Sequence, residues 1–193
     1  MEQTVIIVKP DGVKGGLVGE VIKRFEQTGL KIIGLKMLQA PEAILHKHYK
    51  STDEAYLKSL GGKTLATYEQ YKMNAKKELG TDDPLEIGKK VMKWLIEFMS
   101  NGPIVAMVFE GRHAVDNART LAGSTMPVNA AAGTIRGDFS LDSAYYANTE
   151  KRPVMNVIHA SGSKDEADFE KALWFAPSEL HEYKRIEEYL TEK

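Results

Sequence analysis

The chain has 193 residues, 42% of them apolar, which suits one domain, or one domain carrying an insertion, around a sizeable core. A formal net charge of -1 supplies no global basic field for nucleic acid, and the lack of cysteine excludes disulfides and thiolate chemistry and fits a reducing compartment. Acidic Glu2 ahead of a short apolar run is not a signal-peptide pattern, and no apolar run nears the roughly 18 residues of a membrane helix, so a soluble cytoplasmic protein is expected.

Thr4-Val5-Ile6-Ile7-Val8 is continuous, β-branched and short, the pattern of a buried strand. It runs into Lys9-Pro10-Asp11-Gly12, which has turn chemistry. A lysine there can hold its ammonium over a phosphate or simply stand in solvent, and the tetrapeptide alone favours solvent. Val18, Val21, Ile22 and Phe25 share one helix face, with Gly29 as the stop. Residues 30–38 predict a second strand and residues 41–49 a short helix, and Thr52, Asp53 and Glu54 start another. His46 and His48 do not share a helix face, so they make a poor metal pair and are expected at the surface. Gly61-Gly62 is expected to break the pattern.

Asp83 as N-cap and Pro84 at the first helical position open a further helix, with an apolar stripe of Ile87, Val91, Trp94, Leu95 and Phe98. After the turn Asn101-Gly102-Pro103, residues 104–109 read as a third buried strand. Residues 114–122 form a helix carrying Arg119. The run from 123 to 139 looks irregular, and such long loops are usually functional or disordered. Arg119 and Arg136 bracket it, and guanidinium forks suit phosphate oxygens, although a single exposed arginine is more often a solvated charge. Residues 143–155 look like an extended surface loop.

Asn156-Val157-Ile158-His159-Ala160-Ser161 reads as a strand that delivers His159 to its end, and Ser163-Lys164-Asp165-Glu166 has capping-box form. That imidazole can be a nucleophile, a proton shuttle, a ligand or a tucked-in polar group. Phe169, Ala172 and Leu173 mark the expected buried face of the following helix. Glu170, about 100° round from Phe169, can look toward the sheet edge or stand exposed. A charged tail over residues 178–193 is expected to be helical to about residue 190.

Six motifs, in order, resemble the nucleoside diphosphate kinase family. They are Val8-Lys9-Pro10-Asp11-Gly12 with Gly16-Leu17-Val18-Gly19; Lys47-His48-Tyr49; Gly102-Pro103; Arg119 six residues before Thr125; Gly133-Thr134-Ile135-Arg136-Gly137-Asp138-Phe139; and the stretch around His159. The resemblance implies an α/β (α+β) chain over residues 1–193, with a ferredoxin-like βαββαβ core, a four-stranded antiparallel sheet and a mainly helical insertion. It implies ping-pong transfer of a γ-phosphoryl group from a nucleoside triphosphate to a nucleoside diphosphate through phosphorylated His159. Neutral imidazole, with an ordinary pKa of about 6.5, is a competent nucleophile for that step.

By the same resemblance Lys9, Arg119 and Arg136 supply positive charge, and Tyr49 and Thr125 supply neutral donors. Asn156 binds ribose with Lys9, Glu170 orients His159, and Ser161 hydrogen-bonds near that pair. Mg²⁺ arrives with the nucleotide and takes no protein ligand. A homo-oligomer, dimers assembled into tetramers or hexamers, is expected, without membrane or nucleic-acid partners. Lys76, Lys77, Lys89, Lys90 and Lys93 are interleaved with carboxylates, which argues against a nucleic-acid platform.

Four departures from the family pattern stand out. The base-stacking aromatic falls near Tyr56 and Leu57. Residues 61–95 form an insertion, and about ten further residues lengthen the loop between Asp138 and Asn156. Gly162 stands where an acidic residue is common after the serine. A nucleotide-binding scaffold of the same fold, without turnover, is the alternative.

Overall fold

The computed structural model describes residues 1–186. The chain begins with β1 (Glu2–Val8), the one-turn helix α1 (Pro10–Lys14), α2 (Val18–Gln27) and β2 (Lys31–Gln39). α3 (Glu42–His48), α4 (Glu54–Gln70), α5 (Ala75–Leu79) and α6 (Pro84–Ser100) follow, leading to β3 (Pro103–Gly111). α7 (Ala114–Ala122), α8 (Ile135–Phe139), α9 (Ala144–Thr149), β4 (Ile158–Ala160) and α10 (Lys164–Trp174) complete the order. The sheet order is β2-β3-β1-β4 and every neighbouring pair is antiparallel. That is the ferredoxin-like arrangement.

The central strands read as continuous apolar runs because both sheet faces are covered. Val5, Ile7, Ala106 and Val108 pack with Leu45, Met92, Ile96 and Trp174 on one side. Ile6, Val8, Met107 and Phe109 pack with Val21, Phe25, Ala118 and Ile135 on the other. In register, Val5 faces Val108 across β1 and β3, and Ile7 faces His159 across β1 and β4. His159 therefore leaves the sheet at its short outer strand, beside the best-buried strand of the fold.

Several local expectations hold. Gly29 ends α2 at φ +86°, and Asp83 Oδ1 accepts the Glu86 N–H at 2.9 Å with Pro84 inside the first turn. Others change. Gly61-Gly62 does not break a helix, because α4 runs through it. A Cβ on Gly61 would lie 1.8 Å from Pro84 O, and one on Gly88 2.0 Å from Leu57 O, so the glycines let α4 and α6 touch backbone to backbone. On α6 the fully buried line is Met92, Ile96 and Met99, while Trp94 and Val91 pack against a satellite core of Tyr68, Ala75, Leu79 and Ile87.

The predicted loop over 143–155 contains α9, capped by Ser143, whose Oγ accepts the Tyr146 N–H at 3.3 Å. α9 meets the α4 region through Tyr68, whose hydroxyl donates to Asn148 O at 3.4 Å, and through the Tyr71 and Tyr145 rings, 4.9 Å apart. The irregular run before it holds a 3₁₀ turn (Pro127–Asn129) and α8. The expected tail helix is absent over residues 180–185, where His181 N–H donates to Ile33 O at 2.7 Å and Tyr183 Oη to Ile32 O at 2.7 Å, laying the chain along β2. The rest of that expectation falls on residues 187–193, outside the described residues. On α10 the buried residues are Ala167, Glu170 and Trp174, and Phe169 and Ala172 are exposed. The predicted face was turned by about one position.

Candidate active site

A strained residue immediately precedes the strand that carries His159. Val157 has φ +69°, a genuine outlier for a β-branched side chain. Neighbours hold it from three sides: its N–H donates to Asp11 Oδ2 at 2.9 Å, its carbonyl accepts the Lys9 N–H at 2.8 Å, and Ile158 N–H bonds back to Asn156 O at 2.7 Å. Such strain, of order 1–3 kcal/mol, persists where the surroundings over-determine it. Its effect is to bring Lys9, Asn156 and His159 together. Asp11, read only as a turn residue, thus acts as the clamp.

Behind His159 lies a buried carboxylate. Glu170 Oε1 sits 2.7 Å from His159 Nε2, although that N–H is not aimed straight at it. Glu170 Oε2 accepts the Ser161 hydroxyl at 2.7 Å, and Ser161 Oγ in turn accepts the Val5 N–H at 3.1 Å. Glu170 is 1% exposed, so burial raises its pKa above the usual carboxylate range, against the lowering pull of His48 and Ser161. The default reading of an exposed helix carboxylate is overturned.

His48 is the residue that sequence reasoning placed wrongly. It is buried, not superficial, with its ring 4.5 Å from that of His159 and Nδ1 3.3 Å from Glu170 Oε1. Trp174 Nε1 donates to the same Nδ1 at 3.3 Å, and a donor there requires His48 to be neutral at that nitrogen. Burial, with His159 next in weight, pushes His48 down to about 3. The expected surface position of His48 is therefore corrected: His48, His159 and Glu170 offer ligand atoms within 4.8 Å of one another. The 2.7 Å separation is nonetheless a hydrogen-bond distance, shorter than the roughly 3.3 Å edge of a tetrahedral zinc site. With Trp174 on the His48 lone pair, the trio is a buried polar cluster held together by Trp174 and Ser161.

In front of His159 the charge has the opposite sign. Arg119, Gly123, Ser124, Thr125, Arg136 and His159 line a cavity of about 210 Å³. The Arg136 guanidinium is buried and donates to Gly123 O at 2.8 Å, Ile158 O at 2.9 Å and Asn156 O at 3.4 Å, all backbone carbonyls. Burial, with Arg119 adding to it, lowers its pKa to about 10. Lys9 Nζ donates to Asn156 Oδ1 at 2.7 Å, and Asn156 Nδ2 donates to Thr125 O at 2.9 Å. Burial takes Lys9 down to about 8, Asp11 opposing and Arg136 adding. Burial and then Lys9 and Arg136 hold His159 at about 3, so its ring is neutral at pH 7. Three cations gathered without a carboxylate among their hydrogen-bond partners in the described residues make an anion site.

The remaining predicted residues are placed as follows. The Tyr49 ring packs edge-on to His48 with centroids 4.6 Å apart, and its hydroxyl is buried with no partner among the described residues, an open donor on the site. Tyr56 is 39% exposed and coupled electrostatically to both Tyr49 and Glu166, whereas Leu57 is 4% exposed and packed in the core. Of the two, only Tyr56 presents an open face.

A ferredoxin-like α+β fold with a carboxylate-backed imidazole facing convergent cations is the make-up of a phosphotransferase. The nucleoside diphosphate kinase family model matches residues 2–60 and 84–180, leaving 61–83 outside the match. The nucleoside diphosphate kinase of Pyrobaculum aerophilum is 45% identical over 182 residues, covering 94% of this chain and 99% of its own. Nucleoside diphosphate kinase A of Mus musculus is 41% identical over 95% of this chain and 91% of its own. A crystal structure of an NDP kinase from Pyrobaculum aerophilum superimposes with a TM-score of 0.90 at 44% identity, covering 94% of this chain and 99% of that one. The Borrelia burgdorferi nucleoside-diphosphate kinase, solved with bound vanadate and ADP as a transition-state mimic, gives a TM-score of 0.75 at 36% identity over 97% and 94% of the two chains. The chain belongs to the nucleoside diphosphate kinase family.

Proposed function

We propose that this chain moves the γ-phosphoryl group of a nucleoside triphosphate to a nucleoside diphosphate by way of His159, balancing NTP and dNTP pools. The observation that carries the reading is the two-sided environment of one imidazole: Glu170 Oε1 lies 2.7 Å behind Nε2, and a cation-lined cavity opens in front. With Nε2 turned to the carboxylate, the Nδ1 lone pair is the one left to attack Pγ. The Pγ–O bond to the β-phosphate breaks, and its electron pair leaves with the diphosphate. A second diphosphate reverses the step, so the kinetics are ping-pong. Glu170 keeps the Nε2 proton in place and offsets the charge that the ring gains as it is phosphorylated.

Lys9, Arg119 and Arg136 neutralise phosphate oxygens, and the Tyr49 and Thr125 hydroxyls donate to them. Asn156, already bonded to Lys9, takes the ribose, and Tyr56 stacks on the base. Phosphoryl transfer needs positioning and charge neutralisation more than covalent help, which is what this set supplies. Mg²⁺ coming with the nucleotide would shield phosphate charge, and it prefers an oxygen and water shell to the imidazole cluster around His159. Residues 61–95 are read as an accessory element on the base side of the same domain, its α6 part lying within the family match. Exposed Leu35 and Met37 on edge strand β2 support a dimer-based tetramer or hexamer. A cytoplasmic setting accords with the described helices, none of which is long and apolar enough to cross a membrane.

The test is incubation with γ-labelled ATP and Mg²⁺. An acid-labile, alkali-stable label on the protein, discharged by a second nucleoside diphosphate and absent in His159→Ala, is expected. Nucleotide binding without any such label would favour the scaffold reading.

A further inference from the structure

We propose that Glu166 is the residue through which this chain senses the divalent cation carried on the nucleotide phosphates, a task for which Gly162 has no side chain. The proposal rests on the phosphotransfer reading above. It starts from an irregularity in the cap of α10. Ser163 Oγ accepts the Glu166 N–H at 3.2 Å, as a capping box requires. The reciprocal bond would take Glu166 back to Ser163 N–H, yet Glu166 Oε2 accepts from Gly162 N–H at 2.8 Å, one residue nearer the His159 strand. A Cβ on Gly162 would lie 2.5 Å from that Oε2 and 3.5 Å from Arg119 Nη1. The carboxylate thus fills the space of a missing side chain close to Arg119, which lines the phosphate cavity, and itself lines the neighbouring pocket with His48, Lys50 and Glu170.

The field of Glu166 reaches both ends of the proposed nucleotide path, raising the pKa of His159 at one end and Tyr56 at the other. At His159 the fields of Lys9 and Arg136 disfavour the charged ring and that of Glu166 favours it. Such a carboxylate repels a bare polyphosphate. It attracts one whose charge is covered by a hydrated hard cation, because Oε2 spends one lone pair on Gly162 N–H and the rest of the carboxylate remains free to accept from metal-bound water. Glu166 is a positioning residue here, selecting the metal-loaded nucleotide.

The experiment measures ADP binding by calorimetry, once with excess Mg²⁺ and once in EDTA, for the full chain and for Glu166→Gln. The wild-type protein is expected to prefer Mg·ADP. In Glu166→Gln that preference should shrink about tenfold, with metal-free ADP binding more tightly and Mg·ADP more weakly. The double variant Gly162→Asp with Glu166→Ser, in which the shortened residue vacates the space, should restore the preference. If Glu166→Gln shifts both affinities equally, or neither, Glu166 merely caps Gly162 and the proposal is overturned. If the wild-type protein binds ADP under neither condition, the phosphotransfer reading falls as well.

Discussion

Lys9 permits a prediction with both a kinetic and a stability arm. Its ammonium is buried, bonded to Asn156 Oδ1 at 2.7 Å, and lowered to about 8 chiefly by burial. If that charge helps capture nucleotide, kcat/KM of the free enzyme should fall above about pH 8, and at about pH 9 roughly a tenth of the ammonium remains, a tenfold loss. kcat reports the nucleotide-bound enzyme, where phosphate favours the charged form, so its alkaline limb should lie higher. Lys9→Arg should lower the plateau and abolish the limb, because a guanidinium does not titrate in this range. Because the folded-state pKa lies below the unfolded value, charged Lys9 opposes folding below about pH 8, by roughly 3 kcal/mol, and the opposition fades between about pH 8 and 10.5. Lys9→Met should therefore stabilise the protein at neutral pH, by less than that amount because Asn156 Oδ1 loses its donor, while activity collapses. Initial rates of exchange between ATP and a second diphosphate, and urea unfolding at several pH values, measure both arms. A wild-type kcat/KM that stays flat to about pH 10 would refute the reasoning.

Three further outcomes are expected. Arg136→Ala should cost about 10²–10³ in kcat and leave stability within about 2 kcal/mol of wild type, since the lost carbonyl bonds are offset by removal of a buried cation; unchanged turnover in the exchange assay would remove Arg136 from the site. His48 and His159 are both held near 3, so the fold binds fewer protons than the unfolded chain below about pH 6.5. Stability should then be lost as pH falls from about 6.5 toward 3, each histidine contributing about 1.4 kcal/mol per pH unit, partly countered by the raised Glu170. Acid titration of the unfolding free energy should show a shallower slope in His48→Asn. Gly61→Ala and Gly88→Ala should each destabilise by about 2–4 kcal/mol through separation of α4 from α6, and a thermal midpoint within a degree or so of wild type would show that the helices do not touch as described.

What could be read from the chain alone was what local chemistry controls. Asp83-Pro84, Gly29 and Ser163 announce helix ends because caps satisfy backbone groups within a turn of themselves. Uninterrupted β-branched runs announce strands buried on two faces. The same logic put His159 at a strand end ahead of a helix, and the ordered motifs, taken as a family resemblance, supplied its expected partners in Lys9, Arg119, Arg136 and Asn156 before any geometry was known.

Tertiary packing decided the rest. Which face of α10 is buried depends on what lies beneath it, and that turned Glu170 inward and left Phe169 in solvent. Gly61 looks like a helix breaker until α6 is laid against it, when the absence of a side chain becomes the reason the two helices can meet. His48 looks superficial because its spacing from His46 suits no shared site, but Trp174, distant in sequence, covers it and fixes its lone pair. Burial, a property of the whole fold, then sets the charge states of Lys9, His48 and His159. The sequence alone determined which side chains are available for the proposed chemistry, because side-chain type and local spacing travel with the chain. Only the tertiary structure decided which of them face one another and in what protonation state, because distance and desolvation arise when remote segments pack.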